Sequence, residues 1–141
     1  MATNIRSIII GAGSAISNRV SNSQVYDYPP DSVNQFPAII PMVDNLDMAM
    51  VMAGNSFQGT LRIVCLVERA DVREAWLRMY DMMDTTGSGT SVIAALKADA
   101  TLNASVDSSY IAGVQNIGAK EVGGHVYIGF DVMLPFVFTV T

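Results

Sequence analysis

The strongest pattern in the chain lies near its carboxyl end, where every second residue from Val126 to Val140 is apolar. Successive side chains of a β-strand point to opposite faces, so this period of two predicts a long, half-buried strand with the other face towards solvent. The apolar positions are Val126, Ile128, Phe130, Val132, Leu134, Phe136, Phe138 and Val140. Such a strand needs partner strands and a covering layer of side chains, which the rest of the chain must supply.

Three other segments predict the partner strands. A weaker strand covers Val106–Ile117, and the segment Gly118–Gly124 that follows it is the predicted turn of a hairpin with the closing strand. Phe57–Val67 alternates and then becomes apolar on both faces, as expected for a strand covered on both sides of a sheet. Phe36–Val43 is apolar but contains two prolines, so we expect an edge strand or a strand start there.

Three segments have the periodicity of helices. Apolar residues recur at offsets of three and four over Asn4–Val20, which predicts an amphipathic helix. A second helix is predicted to begin at Asp71 and to place Trp76 and Met79 on its buried stripe. Ser91–Ala98 predicts a short third helix.

The order of these elements predicts the fold class. The chain has 141 residues, which fits one domain that builds its own core. We therefore predict a single α+β domain over residues 1–141, with a mostly antiparallel β-sheet packed by an N-terminal helix and a central helix pair.

The composition favours a component of an assembly. Only 15% of the residues are charged and 50% are hydrophobic, whereas an average soluble domain has roughly 25% charged residues. A short chain with so few charges is expected to cover part of its surface with other subunits. Its formal net charge of -5 argues against a nucleic-acid coat, which needs clustered Lys and Arg.

No motif in the chain predicts catalysis. One cysteine and one histidine, Cys65 and His125, exclude an internal disulfide and a His/Cys-rich zinc site. Cys65 lies in an apolar strand and is interpreted as a small buried hydrophobe. Ile8–Gly13 lacks the third glycine of a dinucleotide fingerprint, and Gly87–Ser91 lacks the lysine of a phosphate loop. We expect no catalytic, cofactor-binding or metal-binding residue, and no enzymatic activity.

The chain also lacks the pattern of a membrane protein. No stretch approaches the ~20 uncharged apolar residues of a membrane helix. The apolar N-terminal run contains glycines and follows a single basic residue, Arg6, unlike a secretion signal. We expect a soluble intracellular protein with no membrane partner.

One segment resembles a known family. Residues 25–41 read VYDYPPDSVNQFPAIIP, which resembles the opening of tail terminator proteins of long-tailed bacteriophages. The likeness continues through SFQGTLRIVCLV (56–67), the helix at 71–84, VIAALKADATLNASV (92–106) and VGGHVYIGFDVMLPF (122–136), so the order of elements agrees over nearly the whole chain. Related chains often carry Gly-Gly at the position of Asn103–Ala104, so a different turn is expected there.

The resemblance implies a structural virion protein without catalysis or cofactor. It is assembled in the host cytoplasm and lies at the head-proximal end of the tail. There a homohexameric ring contacts the major tail tube protein, stops its polymerisation and joins the tail to the head connector or stopper protein. Genomic DNA passes through the ring without sequence-specific binding, which the acidic balance of the chain favours.

The subunit interface is expected in loops, because loop residues can order against a neighbour. The first expected contact surface is the proline-rich Tyr26–Phe36 segment, with Tyr26, Tyr28, Asp31 and Phe36 as its contact residues. Thr85–Thr90 and Gly118–Gly124 are further candidates. Two alternatives remain open, namely a head-completion or connector-stopper protein of the same virion neck, and a small ligand-binding α+β domain.

Overall fold

A six-stranded sheet with helices packed on one of its faces makes up the computed structural model of the chain. The structure describes residues 5–20, 23–26, 28, 30, 33, 35–47, 56–69, 73–85 and 91–139. The helices are α1 (Ile5–Ser17), α2 (Arg73–Met83) and α3 (Val92–Ala98). The strands are β1 (Gln24–Val25), β2 (Ala38–Asp47), β3 (Ser56–Arg69), β4 (Ser108–Ser109), β5 (Gly113–Val122) and β6 (His125–Thr139).

The sheet is antiparallel at every pairing except one. Its strands follow the order β1-β2-β3-β6-β4, and β5 pairs with β6 beside β4. Only β1 and β2 run parallel. The predicted fold class, α+β with a mostly antiparallel sheet, is confirmed.

The main core lies between the helices and the face of the sheet that carries Leu61, Ile63, Phe130 and Val132, which we call the helix-covered face. The opposite side, which carries Val64, Leu66, Tyr127 and Asp131, is called the second face. Helix α1 buries one apolar stripe against the sheet, as its periodicity predicts, and α3 buries its own apolar residues. The Ser91 side chain caps α3 by accepting from the Ala94 backbone N–H at 3.0 Å.

Strand β6 differs from the prediction of a half-buried strand. The apolar parity from Ile128 to Phe138 is buried as expected, but Tyr127, Gly129 and Asp131 on the second face are buried too. At the start of the strand, Val126 is 49% exposed although its parity is that of the core. The alternation identifies the core face correctly, but the chain also covers the second face, which no local pattern predicts.

Helix α2 is turned relative to its predicted orientation. Met79 is fully buried in the same cluster as Ile128, Phe130 and Val132, as expected. Trp76, however, is 39% exposed, so its assignment to the core stripe is wrong. The buried stripe consists of Ala75, Met79 and Met82, because these positions face the sheet and α3 at helical spacing.

The predicted hairpin exists, but its turn is much shorter than Gly118–Gly124. Strand β5 continues to Val122, and only Gly123 and Gly124 form the turn, with φ values of 60° and 82°. Two residues with positive φ make a turn that matches the twist of the flanking strands. Gly118 instead follows a bulge in β5, where the register shifts between Gln115 and Gly118.

Strand β2 lies at the edge of the sheet over most of its length. The two-residue β1 pairs only with Ala38 and Ile39, and the remainder of β2 pairs on one side alone, with β3, among the described residues. The prediction of an edge strand or strand start at Phe36–Val43 is confirmed.

Candidate subunit interface

Described residues of the Tyr26–Phe36 segment, namely Tyr26, Val33 and Phe36, pack on the second face of the sheet. The Tyr127 hydroxyl accepts a hydrogen bond from the Val33 backbone N–H at 3.1 Å. The Phe36 ring lies 5.7 Å from the Tyr127 ring, centroid to centroid. Tyr26 packs against the same apolar cluster, and its backbone N–H donates to the Ile39 carbonyl oxygen at 2.9 Å. The segment therefore closes a second, small core on the chain's own sheet.

The predicted contact residues do not form one common surface. Tyr26 and Phe36 are partly buried in the small core and so contribute to the fold of the chain itself. Tyr28 is 63% exposed and remains accessible to a neighbouring molecule. Asp31 lies outside the described residues, as do Thr86–Thr90.

A charged cluster lies beside the small core on the second face. The Asp131 carboxylate is 1% exposed, and its Oδ1 lies 2.7 Å from Lys120 Nζ. Its Oδ2 accepts from Asn116 Nδ2 at 2.8 Å and lies 3.5 Å from Arg62 Nη1. Arg62 also pairs through Nη2 with Asp44 Oδ1 at 3.1 Å. The two cations and two carboxylates neutralise each other and join β2, β3, β5 and β6.

Sequence reasoning missed this cluster. The alternation of β6 places Asp131 on the parity that was expected to face solvent, and its partners come from β3 and β5, which are distant in sequence. Only the register brings them together, because Asp131 is opposite Val64 on one side and Gln115 on the other. A buried carboxylate that is matched by cations in this way is a structural feature of the sheet.

One flank of the molecule exposes an apolar ridge on α2. Trp76 is 39% exposed, Leu77 52% and Tyr80 54%, and the Trp76 and Tyr80 ring centroids lie 6.5 Å apart. We call these three residues the α2 ridge. Helix α2 packs on β3 and β6, and the Trp76 ring is close to Gly118 of β5. The ridge therefore lies towards the β5 side of the sheet.

The other flank carries a shallow groove along α1. It has a volume of about 330 Å³ and is lined by Ile9, Ile10, Gly13, Ser14, Ser17 and Val25. Ile10 is 48% exposed at its border. Because α1 packs on β1 and β2, this α1 groove lies at the opposite edge of the sheet from β5.

The spacing of these residues could have indicated both features. Leu77 and Tyr80 are three residues apart and lie outside the core stripe of α2, and Gly13 and Ser17 are four apart on α1. The sequence analysis assigned Trp76 to the core and the α1 glycines to tolerated small residues, so neither flank was recognised.

Two further hollows lie among the described residues. An open hollow of about 620 Å³ lies at the end of the sheet, where Gln58 Nε2 donates to Asp47 Oδ2 at 3.2 Å. A groove of about 480 Å³ lies between α3 and the chain around Tyr110. Over the part of the chain that the structure describes, no three His, Cys, Asp or Glu side chains are grouped to hold a metal ion. None of the described helices has the length and apolar character needed to cross a bilayer.

No protein-family model matches the chain, and no curated protein matches it in sequence.

Proposed function

We propose that this chain is a structural subunit of a bacteriophage virion. It forms a ring, most simply a hexamer, at the head-proximal end of a long tail. The ring ends polymerisation of the tube protein and joins the tail to the head connector.

The observation that carries this proposal is the pair of exposed surfaces on opposite flanks. A chain with a single such surface associates by two-fold symmetry, whereas two different surfaces lead to head-to-tail association, which closes into a ring when the rotation is suitable. The α2 ridge and the α1 groove are two different surfaces, since α1 packs on β1 and β2 at one edge of the sheet, whereas α2 packs on the central strands β3 and β6 with Trp76 near Gly118 of β5. Tyr28, 63% exposed, offers a further contact.

The likeness to tail terminator proteins supports placing the ring at the head-proximal end of the tail. The five segments that carry it fall on β1–β2, on β3, on α2, on α3 with the turn that follows it, and on the β5–β6 hairpin. The turn with Asn103–Ala104 has positive φ at Leu102, Asn103 and Ala104. Glycines are favoured at such positions, so the Gly-Gly of related chains is compatible with this backbone.

Two side chains of reactive type have structural roles in the fold. Cys65 is fully buried in the main core. The Asp131 carboxylate is neutralised by Lys120 and Arg62.

The experiment that tests the proposal is electron microscopy of tails assembled without this protein. A tail terminator is expected to be essential for length control, so its absence should give overlong tubes that carry no heads. Supplying the chain in trans should restore normal tails, with a six-fold ring at the upper end. Tails of normal length that lack heads would instead identify a head-completion or connector-stopper protein of the neck. Normal tails attached to heads, or a ring count other than six, would contradict the proposal.

A further inference from the structure

We infer that neighbouring copies of this chain associate head to tail, with the α2 ridge of one copy seated in the α1 groove of the next. This inference rests on the proposed function, because it names the contact that builds the ring.

The two surfaces are complementary in shape and polarity. The ridge presents two aromatic rings and one leucine, all partly exposed. The groove is lined by small residues, among them Ser14 and Ser17, together with Ile9, Ile10 and Val25. Small residues let a second helix approach closely, and buried aromatic and leucine side chains fill the space that remains.

The fold requires glycine at position 13, because Val25 of β1 occupies the space that a side chain there would need. A Cβ at this position would lie 2.5 Å from Val25 Cγ1 of β1. The small residue therefore serves the contact between α1 and β1, and the depression beside it is a consequence of that packing. Ser14 and Ser17 extend the depression along the exposed side of the helix.

The positions of the two surfaces favour a second copy of the chain as the occupant. The groove lies over the β1–β2 edge of the sheet and the ridge lies on α2, over β3 and β6 and towards β5, so the contact can repeat from copy to copy in the same sense. If the ridge contacted another ridge, the result would be a closed two-fold dimer and the groove would remain uncovered.

Charge complementarity supports the same pairing. Helix α1 contains Arg6, which is exposed, and no acidic residue, whereas Arg19 beyond its end is paired with Asp99. Helix α2 exposes Glu74 and Asp81, while the guanidinium of Arg78 is paired with Glu68 at 3.0 Å. The contact therefore brings the acidic side chains of α2 towards Arg6 of the next copy, which steers association and favours one orientation.

A cross-linking experiment with two differently tagged chains tests the contact. One chain carries Ser14→Cys and the other Leu77→Cys, and the chains are mixed at high concentration with and without purified tail tubes. A short thiol cross-linker is expected to join the two different chains, whereas each substituted chain alone should give little product. Cross-linking of Leu77→Cys to itself would show a two-fold contact and would overturn the inference.

Matched substitutions measure the contribution of each surface to association. Leu77→Asp is expected to weaken self-association at least about tenfold, whereas Tyr110→Asp, at a 66% exposed aromatic residue outside both flanks, should change it less than about threefold. In the same way, Arg6→Glu should weaken association more than Lys97→Glu, which makes the same charge change on α3. Thermal melting of each variant checks that the fold is retained.

The outcomes separate this inference from the proposed function. Six-fold rings on tail tubes without the mixed cross-link, or an equal effect of Leu77→Asp and Tyr110→Asp, would overturn the inference and leave the proposed function standing. A chain that stays monomeric and does not bind tail tubes would contradict both.

Discussion

Cys65 lies on the helix-covered face of β3 and has no exposed surface. Its thiol donates a long hydrogen bond to the Ile63 carbonyl oxygen, 3.8 Å from Sγ to oxygen. Burial raises the pKa of the Cys65 thiol, the Asp131 carboxylate raises it further, and Lys120 opposes the shift. The side chain stays protonated and packs as a small apolar group, which confirms its interpretation from the sequence.

We predict that Cys65 lowers the stability of the protein at alkaline pH. The unfolded chain ionises near the ordinary thiol pKa of 9.0, whereas the folded chain retains the proton. The stabilisation is therefore complete below that pH and is lost above it, by at most about 1.4 kcal/mol per pH unit. Denaturant unfolding at about pH 8 and about pH 10 should show a steeper loss for the wild-type chain than for Cys65→Ala. Equal losses would contradict the prediction.

At the scale of the elements, two glycines mark places where backbones approach closely. A Cβ at Gly129 of β6 would lie 2.2 Å from the Cys65 carbonyl oxygen of β3. A Cβ at Gly11 of α1 would lie 2.3 Å from the Leu102 carbonyl oxygen. These contacts require glycine although glycine weakens helices and strands, so packing decides the residue at both positions.

A pair of glycine substitutions on adjacent strands tests this interpretation. Gly129→Ala should lower the free energy of unfolding by about 3 kcal/mol, because two paired strands must separate to admit the methyl group. Gly113→Ala on β5 is the matched control, since a Cβ there meets nothing within 4 Å. It should be neutral or stabilise by about 0.5 kcal/mol through the unfolded chain. Similar melting temperatures for the two variants would refute the close approach.

The elements with a strong local pattern are predictable from the sequence. The apolar parity of β6 and the helical period of α1 both identify the buried side correctly. In each element the positions that face the core recur at the period of that element, so apolar residues recur with the same period in the sequence. The extent of β5 is not predictable in the same way. Gly118 was expected to begin a turn, but pairing with Gly129 of β6 holds it inside the sheet. A bulge and a turn have the same glycine signal, and only the register distinguishes them.

The candidate interface is less predictable than the fold. The rotation of α2 about its axis is decided by how Met79 and Met82 pack on the sheet and α3, and this turns Trp76 outwards. Similarly, the sequence analysis predicted the aromatic residues Tyr26 and Phe36 as subunit contacts, but in the structure both pack against the small core that contains Tyr127 on the second face. In each case a tertiary contact decides whether an apolar side chain belongs to the core or to a surface.

At the scale of the whole molecule, most of the described basic side chains are neutralised, as expected for the proposed ring through which DNA passes. Four basic side chains are paired with acids, namely Arg19 with Asp99, Arg62 with Asp44 and Asp131, Arg78 with Glu68, and Lys120 with Asp131. Arg6 and Lys97 are exposed. The side chains of Arg69 and Arg73 lie outside the described residues. A cation that is already neutralised by a neighbouring carboxylate adds little to phosphate binding.

The assembled protein is therefore expected not to hold duplex DNA. In the proposed ring the net charge of -5 per chain adds up over the subunits, and we expect its repulsion of phosphates to exceed the attraction of the exposed cations. Filter binding of linear duplex DNA to the ring should give no retention even at about 50 mM salt, where phosphate contacts are strongest. A basic DNA-binding protein of similar mass in the same assay shows that binding would be detected. Retention that decreases steeply with added salt would reveal a continuous belt of free Lys or Arg around the pore. Such a ring would grip the genome, as a connector plug does, whereas a tail terminator lets DNA slide through.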